Sequence, residues 1–184
     1  MQIVVTRVDA HRYSTIVERD GVRLRVPGYG FMRALPHDLA HFVVEGSLRL
    51  DRGFWGSVAD GAEFRGMERI GGRRKPHATQ KTKTTGQENA DYLSEAERLV
   101  ACFERIAERN LDQVPRLAEA ELREAAATVR HRPQAATESD IAKVCVAWRM
   151  MQARWNELPV GEAIRIEWPP VRAPGKKHRR RLSK

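Results

Sequence analysis

Two histidines and two acids crowd one short stretch of this chain, Leu35-Pro36-His37-Asp38-Leu39-Ala40-His41-Phe42-Val43-Val44-Glu45. His37 and His41 are four residues apart, and Glu45 follows four further on. On a helix such residues project from neighbouring turns, with Cβ atoms about 5–6 Å apart. That separation lets two imidazole nitrogens converge on one divalent metal ion at about 2.0–2.1 Å. Glu45 could then add a carboxylate ligand or orient His41 from behind. The same residues could instead be the solvated side of an amphipathic helix, the acids merely pairing with the histidines. Two stacked histidines are an unusual choice for a solvated face in an arginine-rich chain.

Over five residues, His37-Asp38-Leu39-Ala40-His41 resembles the His-Glu-x-x-His motif of zinc metallopeptidases, with Asp38 one methylene shorter than the usual glutamate. In that family the two histidines bind zinc and the acid between them is the general base. The resemblance therefore implies a zinc ion, or another divalent metal, on His37 and His41, with Asp38 activating water. It also brings in Glu63, 22 residues beyond His41, as an alternative to Glu45 for the third ligand. The longer string from Leu35 to Glu45, with Gly53-Phe54-Trp55-Gly56 after it, resembles uncharacterised bacterial proteins.

These residues need elements to hold them. Pro36 suits a first helical position, and Asp38 near the helix start favours the dipole. Before the helix, Ile3 to Val8 is a β-branched run. Tyr13, Thr15 and Val17 then alternate with Ser14, Ile16 and Glu18. Asp20-Gly21 is a strong hairpin signal, and Val22, Leu24 and Val26 alternate with Arg23 and Arg25 beyond it. This predicts a two- or three-stranded antiparallel sheet with one face that a helix must cover. Phe54 to Phe64 reads as a short helix closed by Gly61. Three helical patterns follow: Tyr92 to Ala107, about Pro115 to Arg130, and Ile141 to Leu158 after a Thr137 cap. Ile164, Ile166 and Trp168 alternate with Arg165 and Glu167 as a last strand, which could join the N-terminal sheet.

The fold expected is α+β: a small antiparallel sheet covered by the His-bearing helix and packed with a helical bundle. Residues 1–70 make the sheet and that helix, 71–87 a basic linker, 88–170 the bundle ending in a strand, and 171–184 a disordered basic tail.

Length and composition agree, with 184 residues, 41% hydrophobic and 31% charged, as for one globular domain. No apolar run approaches a membrane span, and the start lacks a signal-peptide pattern, which predicts a cytoplasmic protein. Cys102 and Cys145 sit in apolar helical patterns and are expected to be buried free thiols. The net charge of +9 suggests nucleic acid until it is located. Residues 71–85 carry +5 and residues 172–184 carry +7, leaving the rest about −3. Lys176, Lys177, Arg179, Arg180 and Arg181 are the weak candidates for phosphate contact. The competing reading is a non-enzymatic module whose helices bind a protein partner while its basic segments contact nucleic acid.

Overall fold

The computed structural model describes residues 1–28, 35–72, 87–108 and 138–169. The helical pattern expected at 115–130, the Thr137 cap, most of the 71–87 segment and the basic tail lie outside the described residues.

Three N-terminal strands, β1 (Gln2–Arg7), β2 (Tyr13–Arg19) and β3 (Val22–Val26), form the antiparallel meander that the alternation predicts. The β2–β3 turn has positive φ at both Asp20 (51°) and Gly21 (73°), the left-handed pair that a tight two-residue hairpin needs. The final strand β5 (Ala163–Glu167) pairs with β1, setting Ile164 opposite Val5 and Ile166 opposite Ile3. Met1 and Trp168 exchange backbone hydrogen bonds at 2.8 and 3.1 Å. On the far edge lies β4 (Glu68–Gly71), so the order is β4-β3-β2-β1-β5 and the sheet has one strand more than the N-terminal strands and joining C-terminal strand expected. The fourth strand escaped the sequence reading because it is short, carries one large apolar residue and runs into the segment taken as linker.

The inner face presents Ile3, Val5, Tyr13, Val17, Leu24, Val26 and Ile164, all buried. Helix α1 (His37–Leu48) contributes Leu39, Ala40, Val43 and Val44 to the same core. Its first bond runs from the Ala40 amide to the Pro36 carbonyl, so Pro36 stands just before the helix rather than in it. Arg49 closes it in the left-handed region at φ 57°. Short helix α2 (Phe54–Ala59) follows, burying Trp55 and Val58.

Helices α3 (Ala90–Glu108) and α4 (Glu138–Asn156) both pack against α1. Ala96, Leu99, Val100, Phe103 and Ile106 face inward from α3, and Ile141, Val144, Trp148 and Trp155 from α4. Each large side chain buried this fully stabilises the fold by roughly 1.5–3 kcal/mol. Cys102 and Cys145 are buried free thiols within this layer. Thus α1 is packed on several sides, and Asp38, His41 and Glu45 of its polar residues are buried while His37 stays half-buried. No described helix is long and apolar enough to cross a membrane.

Candidate metal centre

One turn of α1 separates His37 from His41, and their rings meet edge to face with centroids 4.6 Å apart. The two Nε2 atoms lie 3.2 Å from each other. From the facing helix α3, Glu97 brings Oε2 to 3.5 Å from His37 Nε2 and 3.4 Å from His41 Nε2. Three ligand atoms on three side chains thereby form a nearly equilateral triangle. Among the described residues, His37, His41 and Glu97 are a group whose atoms are close enough to hold one metal ion.

The remaining ring nitrogens are committed elsewhere, each to a carboxylate. His37 Nδ1 lies 3.1 Å from Glu104 Oε1, and His41 Nδ1 lies 2.8 Å from Glu45 Oε1. Glu104 sits seven residues after Glu97, two turns along α3, with buried Val100 between them.

Glu45 is fully buried and accepts two further hydrogen bonds, from the backbone amides of Phe54 (2.8 Å) and Trp55 (3.0 Å). The Gly53-Phe54-Trp55-Gly56 string has its physical reason here. A Cβ on Gly53 would stand 2.6 Å from the Glu45 carboxylate carbon, and one on Gly56 would stand 2.0 Å from the Asp51 carbonyl oxygen. Trp55 also donates through Nε1 to the Asp38 carbonyl at 3.0 Å, tying α2 back to the first turn of α1.

The electrostatics follow from this crowd of acids. Hydrogen bonds to Glu104 and Glu97 raise the His37 pKa to about 10 despite partial burial. Burial opposes a charge on His41, yet its bonds to Glu45 and Glu97 outweigh this and raise its pKa to about 9. Glu97 is held well below the usual carboxylate range by the two imidazoles. Burial pushes the Asp38 carboxyl up. The nearby Thr15 hydroxyl and the charges of His41 and His37 pull the other way, although neither Asp38 Oδ2 nor the Thr15 hydroxyl makes a well-formed hydrogen bond. Tyr13 is raised as well, by burial and by the charge of Asp38.

His41 is 2% exposed and Glu45 0%, so these residues are not the solvated side of an amphipathic helix. The polar stripe of α1 faces α2 and α3. His37 and His41 come together as the spacing predicts. Glu45 reaches His41, but at Nδ1 rather than at the nitrogen facing the triangle. Glu63 pairs with Arg69 at 2.5 Å and Arg19 at 3.6 Å, in a cluster where Arg19 also donates to the carbonyls of Val58, Gly61 and Ala62. His11 occupies the exposed β1–β2 turn, its amide bonded to Asp9. Lys176, Lys177 and Arg179–Arg181 fall outside the described residues.

Glu97 and Glu104 were not singled out from sequence. Their only mark is a seven-residue spacing flanking the apolar stripe of α3, which many solvated helix flanks share. Comparison with family models, curated proteins and solved structures finds no match to this chain, so the chemistry of the centre is read from its own geometry.

Proposed function

We propose that the chain carries a mononuclear divalent-metal centre, with His37 Nε2, His41 Nε2 and a Glu97 carboxylate oxygen as its protein ligands. The triangle of ligand atoms carries this reading. Tetrahedral ligands at zinc distances stand about 3.3 Å from one another, against the 3.2, 3.4 and 3.5 Å found here. Carboxylates behind both histidines, Glu45 fully buried and Glu104 partly so, are also what metal sites use to orient imidazoles and raise their basicity.

The ligand count points the same way. Structural zinc sites are closed by four protein ligands, whereas reactive ones keep three and leave a position for water or substrate. The side chains of His37 and Glu97 are 41% and 56% exposed, so the triangle opens toward solvent on one side. An ion held there supplies Lewis acidity, lowering the pKa of water and polarising a carbonyl or phosphoryl oxygen. Metal-dependent hydrolysis is the reaction class that suits it. Asp38, the acid between the two histidines, is the residue we assign to take up the proton.

The test is zinc and cobalt titration of the purified full chain after chelation. Near-stoichiometric binding is expected, with a cobalt spectrum typical of four-coordinate nitrogen and oxygen ligation. His41→Ala and Glu97→Gln should abolish both signals. A wild-type chain that takes up neither ion, with thermal stability indifferent to them, overturns the reading. Turnover of simple chromogenic acyl or phosphoryl esters that needs the metal, and is lost in Asp38→Asn with metal retained, tests the hydrolytic part.

A further inference from the structure

We infer, resting on the metal reading above, that Glu45 is the positioning residue of the centre and that Gly53 exists to let it in. Glu45 touches no ligand atom of the triangle. It bonds His41 on the opposite side of the ring, at Nδ1, 2.8 Å away.

The direction of that bond is dictated by its neighbours. Backbone amides only donate, and two of them, from Phe54 and Trp55, point at the Glu45 oxygens. A carboxylate surrounded in this way acts as an acceptor, so the third partner must donate too. His41 therefore holds a proton on Nδ1, so in the singly protonated ring the lone pair is on Nε2, the nitrogen that faces Glu97 and His37. The ring cannot turn over without placing an acceptor nitrogen or a carbon against the carboxylate.

Gly53 supplies the room. Its φ of −67° is ordinary for any residue, so backbone freedom does not explain a glycine there. Space does: a Cβ would meet the carbon and both oxygens of the Glu45 carboxylate at 2.6–2.8 Å. The atoms it would strike are the far end of a flexible side chain, so Gly53→Ala moves Glu45 and leaves the backbone in place. This makes it a probe of the contact that alters neither the acid nor the histidine.

Glu45→Gln tests the same contact by chemistry. With its oxygen toward His41 and Phe54, the amide group confronts the Trp55 N–H; flipped, it donates to His41 and forces the proton onto Nε2.

The experiment measures zinc affinity of the full chain by competition with a chromophoric chelator, in wild type, Gly53→Ala, Glu45→Gln and the double variant. It is paired with ring-nitrogen NMR of the zinc-loaded protein. Each single change is expected to weaken zinc by about 10–100-fold, the range for partners of metal-bound histidines. His41 should ligate through Nε2 in wild type and lose that uniform signature in Glu45→Gln. The double variant should be little worse than the singles, because both act through one contact, whereas independent structural damage would add. Folded variants that bind zinc within about twofold of wild type, with His41 still on Nε2, overturn this inference alone. A wild type without zinc uptake overturns the metal reading and this inference together. If Glu45→Gln does not fold, Gly53→Ala decides the matter.

Discussion

The Nε2 atoms of His37 and His41 face each other at 3.2 Å while Glu104 and Glu45 engage the two Nδ1 atoms. With a proton on each Nδ1, neither Nε2 has one to offer, and Glu97 brings a third acceptor to the same point. Three acceptors cannot satisfy one another. Added ring protons or one dication among them resolve this, and two such protons carry the same charge as the ion. On the proposed metal reading, binding therefore exchanges up to two ring protons for one metal ion.

Zinc affinity is therefore expected to rise steeply with pH, by up to about a hundredfold per unit while both protons must leave. The rise should flatten as the His41 and His37 pKa values, about 9 and about 10, are passed. Calorimetry in buffers of different ionisation enthalpy would count the released protons, and a pH-independent affinity would contradict the exchange. The metal-free chain should behave in the opposite sense. Both histidines are raised above their ordinary 6.5, so their stabilisation is complete below that pH and is lost as pH climbs through 9 to 10. Denaturant midpoints across that window give the check.

Replacing Glu97 separates ligation from folding. Its side chain is 56% exposed, so solvent screens its pairing with half-exposed His37 and, from the open side, with buried His41, and Glu97→Gln should change stability by about 1 kcal/mol. Its zinc affinity should fall by at least about a hundredfold, beyond the usual loss for an outer partner. In the metal-free variant the pKa values of His37 and His41 should both drop, since Glu97 supports each charge. Imidazole proton titration by NMR would show it.

Glu63 provides the contrasting case. It lies among Arg69, Arg19 and the end of α2, so Glu63→Gln should leave zinc affinity within about twofold of wild type, well short of an outer-partner loss. Its cost should appear in stability, about 1–2 kcal/mol, because mostly buried Arg19 loses a charged partner but keeps its carbonyl acceptors. A large zinc defect in this variant would bring Glu63 into the centre.

The contrast between Glu63 and Glu97 shows where sequence reading reached and where it stopped. The His37–His41 pairing is local, fixed by helical spacing, and was legible at once. So were the Asp20-Gly21 hairpin and the alternation of Ile164, Ile166 and Trp168, which the sheet satisfies by pairing β5 with β1. Glu97 is tertiary. Nothing within α3 distinguishes it from a solvated glutamate until α3 is laid on α1. Glu45 was named from its spacing, as a ligand or as the residue behind His41, but its burial was not legible, since a fully buried carboxylate runs against the composition rule for glutamate. Its clue lay further along the chain, in Gly53 and Gly56 bracketing Phe54 and Trp55, and that string acquires meaning only when two backbone amides are seen to end on the acid.

Asp38 brings the last expectation, and its sign differs from that of the other acids. Burial raises its pKa above the ordinary 3.8, so the folded protein holds this proton more tightly than the unfolded chain. Stability from this group is therefore greatest at low pH and falls as pH rises from about 3.8 through the raised value. At neutral pH the ionised form is a net burden, because burial outweighs the support of the Thr15 hydroxyl and the two imidazoles and Oδ2 lacks a well-formed hydrogen bond. Leaving such a group unsatisfied costs about 1–3 kcal/mol. Asp38→Asn keeps the shape, removes the charge and can donate to the Thr15 hydroxyl, so it should stabilise the chain at pH 7 to 8. The gain should vanish as pH falls toward 3.8. Paired urea titrations of wild type and variant across that range would reveal it. A wild type more stable than Asp38→Asn at neutral pH would mean that the carboxylate is supported in its charged form, as a group bonded to a neighbouring cation would be. A buried acid kept at a cost to the fold, one residue from His37, is what the proposed proton-accepting role calls for.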